Sequence, residues 1–172
     1  LLKFKYRAHQ DELDVIYDQP HLSRSRVLQK YTEALLKARE RVILFSPYYF
    51  PDKHFLQALW SAKGRGIRVD LLIPFRSDLR LATYAAYAWF ASLKKQYGVR
   101  VHLLNHMMHG KGVIVDDDWA MIGSSNINYA SFYHSHEVNI QVKNREFVKR
   151  LKEIVTGWLS RSETLEDKQW ER

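Results

Sequence analysis

Two hydrophobic periods alternate along this chain, and that alternation predicts an α/β layer fold. Three short apolar runs, at residues 41–45, 68–73 and 100–104, have the length of buried strands. Longer stretches with helical spacing separate them, and Gly64, Gly66 and Gly98 mark where helices stop.

The elements follow in order. Leu1, Leu2, Lys3, Phe4, Lys5 and Tyr6 read as a strand, and a helix over 25–39 leads into the strand at 41–45. A helix over 53–63 precedes the strand at 68–73, and a longer one over 79–97 precedes the strand at 100–104. Residues 112–116 and 119–123 are short apolar runs joined by Asp117 and Asp118, which predicts a hairpin. A strand at 138–142 completes the sheet. In the last helix Phe147, Val148, Leu151, Ile154, Val155, Trp158 and Leu159 fall on one apolar stripe. The residues after Arg161 are polar and are expected to be mobile.

A length of 172 residues suits one compact domain, with its core at about residues 22–160. Hydrophobic residues at 46% and charged residues at 27% exclude a disordered chain, and the lack of cysteine excludes disulfides and thiolate metal sites. Lys and Arg outnumber Asp and Glu by 27 to 19, a net charge of +8 that favours a phosphate-bearing partner, either nucleic acid or an anionic lipid surface. No apolar run of about twenty residues is present to span a membrane as a helix. The chain opens on Leu1 inside a strand-like segment, so a piece of a longer protein is expected.

The chemistry concentrates between His109 and Asn126. His109, Lys111, Asp116, Gly123, Ser124 and Asn126 form the pattern H-x-K-x4-D-x6-G-S-x-N. In extended chain His109 and Lys111 project to one face, and the hairpin returns Gly123, Ser124 and Asn126 beside them. An imidazole, an ammonium, a hydroxyl and an amide then surround one small volume. The imidazole can attack phosphorus or carry a proton, while Lys111 and Asn126 can hold non-bridging oxygens.

These residues resemble the active-site motif of the phospholipase D superfamily. Glu137, Val138 and Asn139 follow at a distance typical of that family, and Ser46 to Asp52 with Gly66, Ile67, Arg68, Val69 and Pro74 looks like the C-terminal catalytic half of bacterial cardiolipin synthases. The resemblance implies a three-layer sandwich, a mixed β-sheet with helices on both faces. It implies His109 and Lys111 as catalytic, with Glu137 orienting the imidazole. Lys111, Ser124 and Asn126 would bind the substrate phosphate, and Asp116 and Gly123 would be structural. It implies no metal and no cofactor.

The function expected from the resemblance is phosphatidyl transfer through a phosphohistidine, with a phospholipid such as phosphatidylglycerol as substrate, at the bacterial cytoplasmic membrane. A departing alkoxide needs a second acid, yet none of the other seven histidines has lysine two positions on. The second motif is therefore expected from an upstream half of the same longer chain or from a homodimer, with two histidines facing across a crevice at the C-terminal ends of strands. A dimeric phosphodiesterase or nuclease is the alternative, nucleic acid ranking behind lipid as partner. A non-catalytic half-domain that binds phosphate or membrane is the third. After Asn126 the chain reads Ile127, Asn128, Tyr129, Ala130, Ser131, without the acidic and arginine residues often found in the family, which bears on substrate preference.

Other residues have plainer readings. His9, His21 and His54 are expected at the surface. His102, His106 and His109 have a helix-like spacing that also suits zinc, although 99–104 reads as strand. His134 is expected in solvent, and either His134 or His136 could face the site. Residues 81–91 form an aromatic helix face expected to pack on the sheet rather than on a membrane. Tyr48, Tyr49 and Phe50 sit where α/β sheets bind ligands, and core packing would account for Phe50 equally well.

Overall fold

The computed structural model describes residues 12–20, 25–74 and 80–165, the side chains of 80–87 excepted. The strand expected at Leu1 to Tyr6 lies outside them, as do His9 and His21. The first described element is β1 (Leu13–Asp18), followed by α1 (Arg26–Lys37), β2 (Arg41–Phe45) and the two-residue β3 (Tyr49–Phe50). Next come α2 (Lys53–Gly64), β4 (Arg68–Pro74), α3 (Arg80–Tyr97) and β5 (Arg100–Leu104). The expected hairpin is β6 (Gly112–Val115) and β7 (Trp119–Gly123). It leads to β8 (Ile127–Asn128), α4 (Tyr129–Tyr133), β9 (Glu137–Val142), α5 (Arg145–Leu159) and β10 (Ser162–Thr164).

Eight strands form one mixed sheet in the order β1-β9-β7-β6-β2-β4-β5-β10, in which β2, β4 and β5 run parallel and the remaining pairs antiparallel. Strand alternation sorts side chains onto two faces. Val42, Leu44, Val69, Leu71, Val113 and Val115 meet α1, α2 and α3, while Ile43, Phe45, Leu72 and Ile114 meet α5. Helices on both faces give the expected three layers.

Local capping sets the first helix. Ser25 Oγ accepts from Leu28 N at 3.0 Å, and the buried Asp18 at the end of β1 accepts from Arg26 N at 2.9 Å and Val27 N at 3.1 Å. Two acceptors therefore cover amides that the helix itself leaves open.

Three expectations change. Residues 162–164 pair with β5 instead of being mobile, and Leu165 N donates to Val101 O at 2.9 Å, because backbone bonding holds a strand whose side chains are polar. On α5 only Val148 and Val155 are fully buried, with Phe147 and Ile154 exposed, because a helix resting on a sheet buries a narrower arc than its whole apolar stripe. Tyr49 is the core residue and Phe50 is exposed, since β3 pairs with β8 and so turns successive side chains to opposite sides. In the aromatic α3 the described Phe90 and Leu93 are buried and Trp89 packs beside them, so that part faces the sheet. No described helix is long and apolar enough to cross a membrane.

One polar cluster is built into the α5 face. Asp70, fully buried, accepts from Arg41 Nε at 2.8 Å and Arg68 Nε at 3.0 Å, and bonds His102 Nε2 at 2.9 Å. Burial pushes the Asp70 carboxyl up, but the His102 bond and the two guanidiniums outweigh it and hold the group at about 2. Because the folded value lies below the unfolded one, this stabilisation is complete above about pH 4 and fades as pH falls toward 2. Urea unfolding should show a loss on the order of 2 kcal/mol across that window. Asp70→Asn should flatten this part of the profile and cost about 2 kcal/mol at neutral pH, because the part-buried Arg41 and His102 lose a charged partner while the more exposed Arg68 stays hydrated.

Candidate active site

The six motif residues divide between two ends of the β6–β7 hairpin. His109, Lys111, Gly123, Ser124 and Asn126 gather at the end where β2 finishes, whereas Asp116 lies at the turn. Gly123 N donates to Lys111 O at 3.2 Å, which places the two arms of the motif side by side. Gly123 must lack a side chain there, because a Cβ would sit 2.5 Å from Asn139 Cα and closer still to Val138 O. Gly112 is similarly required, with Met121 O at 2.5 Å from the position of a Cβ.

His109 is exposed and Lys111 is buried, at 6%. Both precede the strand, since β6 starts only at Gly112, and they differ in burial. Gly110 lies against Trp158 of α5, and Lys111 Nζ folds back to donate to His109 O at 2.7 Å. Burial pushes the Lys111 ammonium below its usual value, while the negative charge of Glu137 opposes that shift. A desolvated cation thus bonds the backbone of the residue that bears the accessible imidazole.

Glu137, also buried, faces inward from β9 and accepts a short hydrogen bond from Ser124 Oγ. Ser124 Oγ in turn accepts from Val138 N at 3.0 Å, and Ser124 N donates to Val138 O at 3.0 Å. The expected contact between Glu137 and His109 is replaced by this one to Ser124. The physical reason is the β7–β9 pairing, which sets Ser124 directly against the start of β9.

Asn126 is half-buried, with Ser46 Oγ 3.5 Å from its Oδ1. Ser46 accepts from Ile127 N at 3.2 Å and donates to Tyr48 O at 2.8 Å, which clamps the motif loop to the end of β2. Asn139 braces the same loop, its Nδ2 donating to Ser125 Oγ at 2.8 Å. Neither brace was assigned a role from sequence. The alternation of Glu137 and Asn139 on one strand face was the available signal for the second.

Asp116 adopts a left-handed backbone with φ of 51° and accepts from the amides of Arg39 at 3.0 Å, Glu40 at 2.9 Å and Arg41 at 3.0 Å. Burial raises its carboxyl, but these amides overcome that and lower it below the usual range. It ties the hairpin turn to the α1–β2 connection, far from His109.

The remaining histidines separate. His102 bonds Asp70, and among the described residues no three metal-ligating side chains gather. His136 turns to Tyr17, whose hydroxyl lies 2.8 Å from Nδ1 under a stacked ring, and His54, His106 and His134 are exposed.

An accessible His109, a buried Lys111 bonded to its carbonyl, and Ser124 and Asn126 at the same end of the hairpin, on a three-layer α/β sheet, mark a phospholipase D-like domain. The family model described as "Cardiolipin synthase, PLD-like domain" matches residues 31–158, and the chain belongs to that family. A cardiolipin synthase A from Wigglesworthia glossinidia brevipalpis is 30% identical over 158 residues, 92% of this chain and 32% of the relative, so the chain spans about a third of that protein's length. NucT from Helicobacter pylori superposes with a TM-score of 0.72 at 21% identity, covering 90% of this chain and 100% of that one. Nuc from Salmonella typhimurium, a phospholipase D family member, gives 0.70 at 22%, covering 90% and 98%. At these identities the two structures speak to the fold.

Proposed function

We propose that the domain is one catalytic half of a phosphatidyltransferase of the cardiolipin synthase type, working through a phosphohistidine. The observation that carries this reading is the exposed His109 whose backbone carbonyl takes a hydrogen bond from the buried Lys111 ammonium. One imidazole attacks the phosphorus of a phosphatidylglycerol; a nitrogen–phosphorus bond forms and the bond to the glycerol oxygen breaks. The glycerol leaves with a proton from a second imidazole. That second imidazole then takes the proton of another phosphatidylglycerol hydroxyl, whose oxygen attacks phosphorus and displaces the first imidazole. His109 is one of the two.

Lys111 and the Asn126 amide hold the non-bridging oxygens as charge builds in the transition state. Ser124 presents its hydroxyl to the same phosphate, and Glu137 fixes Ser124 and sets the potential around Lys111 and the imidazole. The second imidazole comes from the rest of a longer chain or from a second copy, and the reaction takes place at the bacterial cytoplasmic membrane.

Incubating the complete protein separately with phosphatidylglycerol vesicles and with single-stranded DNA tests the reading. Glycerol release with formation of a bisphosphatidyl product is expected. Cleavage of the DNA with no glycerol released from lipid would overturn it in favour of a nuclease.

A further inference from the structure

We propose that the chain carries a second anion site, separate from the histidine end of the motif, that binds a phosphate ester in a cleft between α1 and the turn end of the sheet. The cleft has a volume of about 410 Å³, and its walls include Lys30, Lys37, Arg39, Trp119, Gln141 and Lys143. Of the motif residues only Asp116 borders it; His109, Lys111, Ser124 and Asn126 lie at the opposite end of β6 and β7.

The acidic groups of the cleft are already engaged. Asp116 accepts from three backbone amides, Asp118 accepts from Arg39 Nη2 at 2.6 Å, and Glu33 accepts from Gln29 Nε2 at 2.8 Å. The ammonium groups of Lys30, Lys37 and Lys143 have no hydrogen bond or ion pair among the described residues. Four cations, Lys30, Lys37, Arg39 and Lys143, against three carboxylates, Glu33, Asp116 and Asp118, leave one positive charge over in a concave space, where low-dielectric walls concentrate its field.

Gln141 supplies the second, independent sign. It is only 7% exposed, and its carboxamide has no hydrogen-bond partner among the described residues. The amide is not sealed in the interior: it opens onto the cleft, where its donor and acceptor are within reach of a ligand. Its NH2 can donate to a phosphate oxygen while the ammoniums neutralise the charge, and the half-buried Trp119 ring offers an apolar wall to the organic part. A cleft of this size is in the range of small-molecule sites, about 300–1,000 Å³. The shared chemistry is a phosphate ester, whether on a soluble metabolite or on a lipid headgroup.

Isotope-labelled chain is titrated with glycerol 3-phosphate, and separately with vesicles of phosphatidylglycerol in phosphatidylcholine. The Gln141 side-chain amide and Trp119 indole resonances are followed. Saturable shifts with the soluble ester assign a metabolite; shifts with vesicles alone assign a headgroup. The paired substitution Lys37→Glu and Lys143→Glu, at two exposed positions, should weaken the response by roughly tenfold or more through lost attraction and added repulsion. His109→Ala should leave it unchanged. Absence of a Gln141 response to both probes, indifference to the charge reversals, or loss of the response in His109→Ala would each overturn the proposal.

Discussion

His109→Ala in the complete protein should reduce phosphatidyl transfer by about ten-thousand-fold or more, the scale seen when a nucleophile or its acid–base partner is deleted. The fold should not notice. His109 is exposed, its imidazole makes no hydrogen bond among the described residues, and its backbone carbonyl, which takes the Lys111 ammonium, is unchanged by the substitution. Exposed sites of this kind usually change stability by within about 0.5 kcal/mol. Steady-state turnover measured beside urea unfolding separates the two effects. Retention of most activity in a normally folded variant would show that this imidazole does not touch the reacting phosphorus.

Legibility in the sequence followed how local the controlling forces are. Strands β2 and β5 were found at their observed limits because they are short apolar runs between clear helix boundaries. Strand β1 escaped because Leu13–Asp18 mixes its signals. Ile16 and Asp18 are buried, whereas Val15 and Tyr17 are exposed. A buried carboxylate that caps α1 from another element breaks the apolar alternation on which a strand reading depends. For β10 the stabilising bonds belong to the backbone, so Ser162–Thr164 offered no side-chain pattern to read.

The site shows the same division. The motif was visible because its members lie in one hairpin or within a few residues of its ends, and the hairpin register follows from two apolar runs and their turn. What the sequence could not show is which partners the site residues choose. Ser46 reaches Ile127 across 81 positions, and Asn139 reaches Ser125 across 14. Ser124 rather than His109 occupies Glu137, a choice made by strand pairing and not by residue type. Residues spread from Lys30 to Lys143 line the second cleft, which no local spacing could reveal.

Lys111→Met should separate function from stability in the opposite sense to most substitutions near a core. Lys111 is 6% exposed, and its ammonium makes one hydrogen bond, to His109 O. Burial already pushes its pKa down, which means that the folded state pays to keep the charge; Glu137 returns part of that cost. A methionine of similar length removes the desolvation penalty and keeps most of the packing. The losses on folding are the bond to His109 O and the attraction to Glu137, which remains bonded to Ser124. Stability at neutral pH should therefore change by no more than about 1 kcal/mol in either direction. Turnover should fall by about a hundred- to a thousand-fold, because the charge proposed to hold the phosphate oxygens would be gone and a preorganised donor of this kind is worth that much. Lys111→Arg should restore little, since a planar guanidinium cannot occupy the pocket of a compact ammonium. A large fall in unfolding free energy for Lys111→Met, with activity lost only in proportion to the unfolded fraction, would mean that this lysine serves the scaffold and not the phosphate.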